Sequence, residues 1–220
     1  MLHYLQNLFQ ALDFSSLADA ALRAAAVFLC LTVHETCHGL AALALGDPTA
    51  KSMHRLSLNP LRHIDWLGLA LMFAAGFGWA KPVPVNPNYF RKPKQGMAIT
   101  ALAGPISNIL LAVLFLEIGK VIYLYAPYSD GMNTFFDWCL FTVAPMSVGM
   151  GLFNLIPFPP LDGSKVLAVF LPDGAYMKLM HYERYGILIL LALSWLGLGG
   201  NALGNAIYGV YEALFHIFFA

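Results

Sequence analysis

Four stretches of this chain, 66–80, 96–116, 138–161 and 185–211, contain no Asp, Glu, Lys or Arg. A helix that crosses the hydrocarbon core of a bilayer needs roughly 20 predominantly apolar residues, so the last three are long enough to span. A fourth candidate, 24–45, is interrupted only by His34, Glu35 and His38. The composition agrees. Charged residues make up 11% of the chain and hydrophobic ones 59%, against about 25% and 45–50% in soluble domains. The expected fold is an all-α polytopic membrane protein, one integral-membrane domain over residues 1–220.

The polar interruptions give the helices a direction. Segment 117–137 holds Lys120 against Glu117, Asp130 and Asp137, whereas 81–95 holds Lys81, Arg91, Lys92 and Lys94 and 162–184 holds Lys165, Lys178 and Arg184. Positive charge favours the cytoplasmic face, which predicts 117–137 outside and makes 96–116 and 138–161 an antiparallel hairpin. Segment 46–65 is basic as well (Lys51, Arg55, Arg62), so the short run 66–80, with Gly68, Gly76 and Gly78, cannot simply cross. A re-entrant or β-like segment between the first and second core helices reconciles the two facts. The first twenty residues lack a basic leader region and read as an interfacial amphipathic helix. Leu196–Gly200 and Asn201 either break the last apolar run into two helices or mark a tight packing site. Zero net charge gives no case for nucleic acid, and Cys30, Cys37 and Cys139 read as small buried hydrophobes, not a disulfide framework.

Against this background the run His34-Glu-Thr-Cys-His38 stands out. On a helix, positions i and i+4 share a face, so the two histidines can hold one metal ion while Glu35 takes a proton from a bound water. Two core histidines hydrogen-bonded to neighbouring helices are the plainer explanation. Each ionisable group at membrane depth costs about 2.5–3.5 kcal/mol, however, and a divalent cation compensates all three at once. Cys37 lies between the two histidines and reads as a packing residue.

A catalytic zinc site takes three protein ligands. Asp162, in "NLIPFPPLDGSKVL", follows an apolar run ended by Pro157, Pro159 and Pro160, and reads equally as a third ligand or as a helix cap. Asp65 competes with it. Asn154 is an amide in an apolar helix, suited to holding substrate or an oxyanion or to an interhelical bond. Asn108 reads as structural, with Ala103, Gly104 and Ser107 suited to close packing against the histidine helix. His63 and Asp65 suit either the site's entrance or a capped turn. In "KPVPVNP", Pro82 and Pro84 remove donors from one edge of an extended segment, leaving those of Val83 and Val85 on the other. Such an edge could receive an unwound substrate; the alternative is a stiff loop whose prolines suppress pairing.

The chain resembles the site-2 protease family of intramembrane zinc metalloproteases, in its compact type without PDZ or CBS domains. "LSLNPLRHID", "FGWAKPVPVNPNYFRKPK", "ALAGPISNILLA" and "FNLIPFPPLDGSKVL" accompany HETCH in the family's order and cover most of residues 30–171. Trp66 stands where the family usually has proline. The resemblance implies one Zn2+ per chain on His34, His38 and Asp162, with Glu35 as catalytic base and Asn154 near the site. It implies hydrolysis of a peptide bond in or near the transmembrane segment of single-span membrane proteins, in a prokaryotic cell membrane with the active site towards the cytoplasm. The alternatives are a membrane metal transporter or a catalytically inactive binder of membrane proteins. Oligomeric state has no sequence signature here.

Overall fold

A computed structural model describes residues 17–68, 80–195 and 200–219. In chain order the helices are α1 (Leu17–Ala44), α2 (Thr49–Ser52), α3 (Pro93–Tyr125), α4 (Asp130–Asp137), α5 (Ala144–Asn154), α6 (Asp162–Ala168), α7 (Asp173–Trp195) and α8 (Gly200–Phe219). Short 3-10 turns at Pro60–Arg62 and Pro87–Tyr89 lie in the loop between α2 and α3. The described residues contain no β-strand, only one antiparallel bridge between Ile64 and Ala80. The chain is an all-α membrane protein, with Ala18–Ala44, Pro93–Tyr125 and Asp130–Asn154 long and apolar enough to cross a bilayer.

The pattern of exposure on α3 shows why it belongs in a membrane. Its inward face carries Ala101, Gly104, Asn108, Leu111, Ala112 and Phe115, all buried. The opposite face carries Ile106, Leu110 and Leu114, each more than half exposed. A helix apolar on both faces fits a lipid surround, whereas a soluble helix would turn charge outward. On the inner side, Cys30 of α1, Leu111 and Leu116 of α3, Val148 of α5 and Ile207 of α8 share one buried cluster.

Helix α3 and the 130–154 segment form the expected hairpin, with Ser129 Oγ capping α4 through the Met132 N–H at 3.2 Å. Between α4 and α5, Trp138–Val143 widens into a π-helical turn. Such turns leave carbonyls free of the helical ladder, and Leu140 O accepts from Tyr211 of α8 at 2.8 Å. Trp138 Nε1 donates to Leu22 O of α1 at 2.7 Å. These two bonds join the first and last helices to the centre of the bundle.

Helix α5 stops at Asn154, before the three prolines. The final apolar run contains two helices, one ending at Trp195 and one starting at Gly200. The expected N-terminal amphipathic helix and most of the expected re-entrant run 66–80 lie outside the described residues. At its C-terminal end, α1 closes on Gly46, whose φ of 103° is left-handed. The Asp47 N–H then bonds back to Ala42 O at 2.9 Å, the geometry of a Schellman cap. This turn folds the Asp47 side chain inward, where it is fully buried.

Candidate metal centre

Helices α3 and α6 meet at the histidines of α1. His34 and His38 are one helical turn apart, as the sequence spacing dictates, with their Nε2 atoms 2.9 Å apart. Asp162, the first residue of α6, brings Oδ2 to 3.2 Å from His34 Nε2 and 3.1 Å from His38 Nε2. Asp162 thus faces the histidines, and its side chain makes no cap hydrogen bond among the described residues. Burial pushes the Asp162 carboxyl up, but hydrogen bonds to the two imidazoles and their charge outweigh it. The group is held below the usual carboxylate range.

The fit to zinc can be tested on these distances. Tetrahedral bonds of 2.0–2.1 Å place neighbouring donor atoms about 3.3 Å apart. The three donors lie 2.9–3.2 Å apart, close to that spacing. Among the described residues, His34, His38 and Asp162 are the group of His, Cys, Asp and Glu side chains that can share a metal, and Cys37 is not in it.

The surrounding contacts orient these donors. His38 Nδ1 lies 2.7 Å from Thr100 O of α3. Donation of Nδ1–H to that carbonyl leaves the Nε2 lone pair facing the centre, the usual support for a metal-binding histidine. His34 Nδ1 is buried without such a partner. Gly104 lets α3 approach closely. A Cβ there would stand 2.5 Å from His38 Cε1 and 2.6 Å from His34 Cε1, so both imidazoles occupy space that any larger residue would take. Gly163 plays the same part behind Asp162, since its Cβ would lie 2.5 Å from the Leu155 carbonyl carbon and 2.6 Å from Ile156 O.

Glu35 is buried beside the histidines, and its Oε2 accepts the Val83 N–H at 2.8 Å. The donor that the proline pattern left available at Val83 is therefore engaged within the chain, whereas the Val85 N–H makes no hydrogen bond among the described residues. Asn154 is less central than its sequence setting suggests. It ends α5, and its amide donates back to Met150 O at 3.0 Å, with no bond to His34, Glu35, His38 or Asp162. Asp65 caps its own turn, accepting from Leu67 N at 2.9 Å and Gly68 N at 3.0 Å. His63 is buried, with Nε2 donating to Ser57 O at 2.8 Å.

The residues read only from the structure are Thr100, whose contribution is a carbonyl and has no sequence signature, and Asp47 and Arg55. The last two are charged residues of the segment that follows α1, which the motif reading passed over.

No family profile matches the chain, and no solved structure matches it significantly. Curated proteins do. Over 196 residues it is 36% identical to "Putative zinc metalloprotease YwhC" of Bacillus subtilis, covering 84% of this chain and 88% of that protein. It is 28% identical over 168 residues to "Putative zinc metalloprotease Rip2" of Mycolicibacterium smegmatis, covering 74% and 62%. A protein of the same description from Methanocaldococcus jannaschii is 30% identical over 105 residues, covering 45% and 47%.

Proposed function

This chain belongs to the zinc metalloprotease family of YwhC, and from that premise we propose that it is an intramembrane endopeptidase of the site-2 type. It cleaves a peptide bond in or near the membrane-spanning segment of single-span membrane proteins. The observation that carries this reading is that His34 and His38, on a helix long enough to span, meet Asp162 of α6, with the Glu35 carboxylate beside them. His34 lies ten residues before the end of α1 at Ala44, about 15 Å along the axis at 1.5 Å per residue. That position along a span-length helix supports cleavage in the membrane-embedded part of a substrate.

In this reading His34, His38 and Asp162 hold one Zn2+. When bound, zinc supplies Lewis acidity towards water and the scissile carbonyl. Glu35 accepts the proton of the attacking water and returns it to the leaving amine. Thr100 O holds His38 in the tautomer the site needs, and Gly104 gives the rings their space. Asn154 serves at the edge of the site, where release from Met150 O frees its amide for substrate. The basic loop end, with Lys51, Arg55, Lys81, Arg91, Lys92 and Lys94, supports a cytoplasm-facing site in a prokaryotic cell membrane.

The test is to map the scissile bond. Purified protein in proteoliposomes is offered single-span substrates and soluble peptides of the same flanking sequence, and the products are read by mass spectrometry. Cleavage within or at the edge of the span is expected. Cleavage confined to the soluble peptides would contradict the intramembrane reading while leaving the metalloprotease one.

A further inference from the structure

The segment 80–86 runs as a strap past the loop end of α1, and five of its backbone N–H and C=O groups are held there. The Lys81 N–H donates to His63 O at 2.9 Å. Arg55 donates through one nitrogen to Lys81 O at 2.8 Å and to Pro82 O at 3.3 Å. Pro82 and Pro84 have no N–H, so Val83 carries the one donor of 82–84, and that donor bonds to Glu35. Three residues on, the Asn86 N–H donates to Asp47 Oδ2 at 2.7 Å.

Asp47 divides its two oxygens between separate tasks. Oδ1 serves its own turn, accepting from the Thr49 N–H at 2.9 Å and from the Thr49 hydroxyl. Oδ2 reaches across 39 residues to the strap. A carboxylate in a fully buried position is costly unless hydrogen bonds compensate it, and three donors do so here. A local turn alone would use only one of the oxygens. The second oxygen sets how far along α1 the strap lies, and that register decides whether the single donor at Val83 meets Glu35.

We propose that Asp47 is a positioning residue for catalysis, fixing the register of the strap so that the Val83 N–H holds the Glu35 carboxylate in place. The inference rests on Glu35 being the proton acceptor proposed above. Glu35 stands on a helix but ends in a flexible carboxylate. A backbone donor fixed at both sides, by Asp47 and by Arg55 with His63, restrains it in a way that the helix alone does not. Displacements of about 1 Å at such a group cost on the order of a hundredfold in rate.

The experiment compares wild type, Asp47→Asn, Val83→Pro and the double variant, in proteoliposomes with one single-span substrate. It measures kcat, KM, zinc content and hydrogen exchange of peptides covering 80–90. Asp47→Asn keeps an acceptor for Thr49 and loses the carboxylate for Asn86, and residue 83 already precedes a proline, whose preference for extended backbone suits proline there. The expected result for Asp47→Asn is faster exchange of the strap, kcat lower by about ten- to a hundredfold, KM within about twofold and unchanged zinc. Val83→Pro lowers kcat comparably, and the double variant is no slower than the slower single one, because both act through one bond. Additive losses, or faster exchange with unchanged kcat, would overturn the proposal. Unchanged exchange in Asp47→Asn would overturn it whatever the activity. Wild type that binds zinc yet cleaves nothing would count against the protease reading, while the exchange arm still reads whether Asp47 anchors the strap.

Discussion

Two turns of α3, four residues apart, face the interior of the bundle and carry very different polar chemistry. At Thr100–Gly104 the helix offers a carbonyl to His38 and a surface without a side chain, against which both imidazoles rest. One turn on, Asn108 is fully buried, with neither atom of its amide hydrogen-bonded. Its neighbours there are Ser147, which donates to Asn108 O at 2.7 Å, and Gly151, whose Cβ would lie 3.5 Å from Asn108 Cβ. What separates the two turns is convergence. At the first, three donor atoms from α1 and α6 lie within 2.9–3.2 Å of one another and could share a metal ion. At the second, the polar atoms share no focus, so the Asn108 turn is a packing site that happens to contain an amide.

The sharpest way to break this contrast is to remove a donor from the converging set. Asp162→Ala is expected to lose bound zinc and to lower cleavage on the order of a thousandfold or more, as read by metal analysis and product formation on the same preparation. Retained zinc would mean that the third donor is elsewhere. Next comes the surface behind the rings. Gly104→Ala puts a methyl group 2.6 Å from His34 Cε1 and should weaken zinc binding by about 10–100-fold, measured by competition with a chelator. An unchanged affinity would show that the two helices can separate without disturbing the centre.

Acid offers a milder probe, away from the metal. Burial pushes the Asp47 carboxyl up, but bonds from the Thr49 hydroxyl and the Asn86 and Thr49 N–H groups outweigh it and hold it below its ordinary 3.8. A carboxyl lowered in the folded state stabilises that state fully above its unfolded value and loses this contribution as pH falls through the folded one. The melting temperature of wild type should therefore drop more steeply below about pH 4 than that of Asp47→Asn, with the two curves parallel above about pH 5. Equal slopes in acid would remove the ionised Asp47 from the account. The smallest effect belongs to the other turn of α3. Asn108→Leu replaces an amide without partners by an apolar group of similar size, which should change stability by less than about 1 kcal/mol and leave cleavage near wild type. A large loss of cleavage would move Asn108 into the site and dissolve the contrast.

The sequence made some of these features legible and concealed others for physical reasons. His34 and His38 could be placed on one face because helical periodicity is local, and the spans because a bilayer fixes their length. Asp162 stayed ambiguous between ligand and cap because a 128-residue separation carries no local signal, and the "LDGSKVL" pattern serves both roles. Gly104 was legible as a close-packing residue, and the structure adds that it packs on the imidazoles themselves. The prolines of "KPVPVNP" leave donors at Val83 and Val85 as an edge open to a substrate, but the Val83 donor is taken by Glu35, a choice settled by how the strap crosses α1. Asn154 read as a polar group in an apolar helix, and its bond to Met150 O shows that such a group can satisfy itself on its own helix. The Thr100 carbonyl is invisible to any residue-type reading.

The most direct test is a comparison of wild type with Glu35→Gln, in which zinc content and cleavage of one single-span substrate are measured on the same purified samples. The account predicts about one zinc per chain in both, with cleavage by wild type alone. Cleavage that survives in Glu35→Gln, or a wild type that holds no zinc, would contradict it.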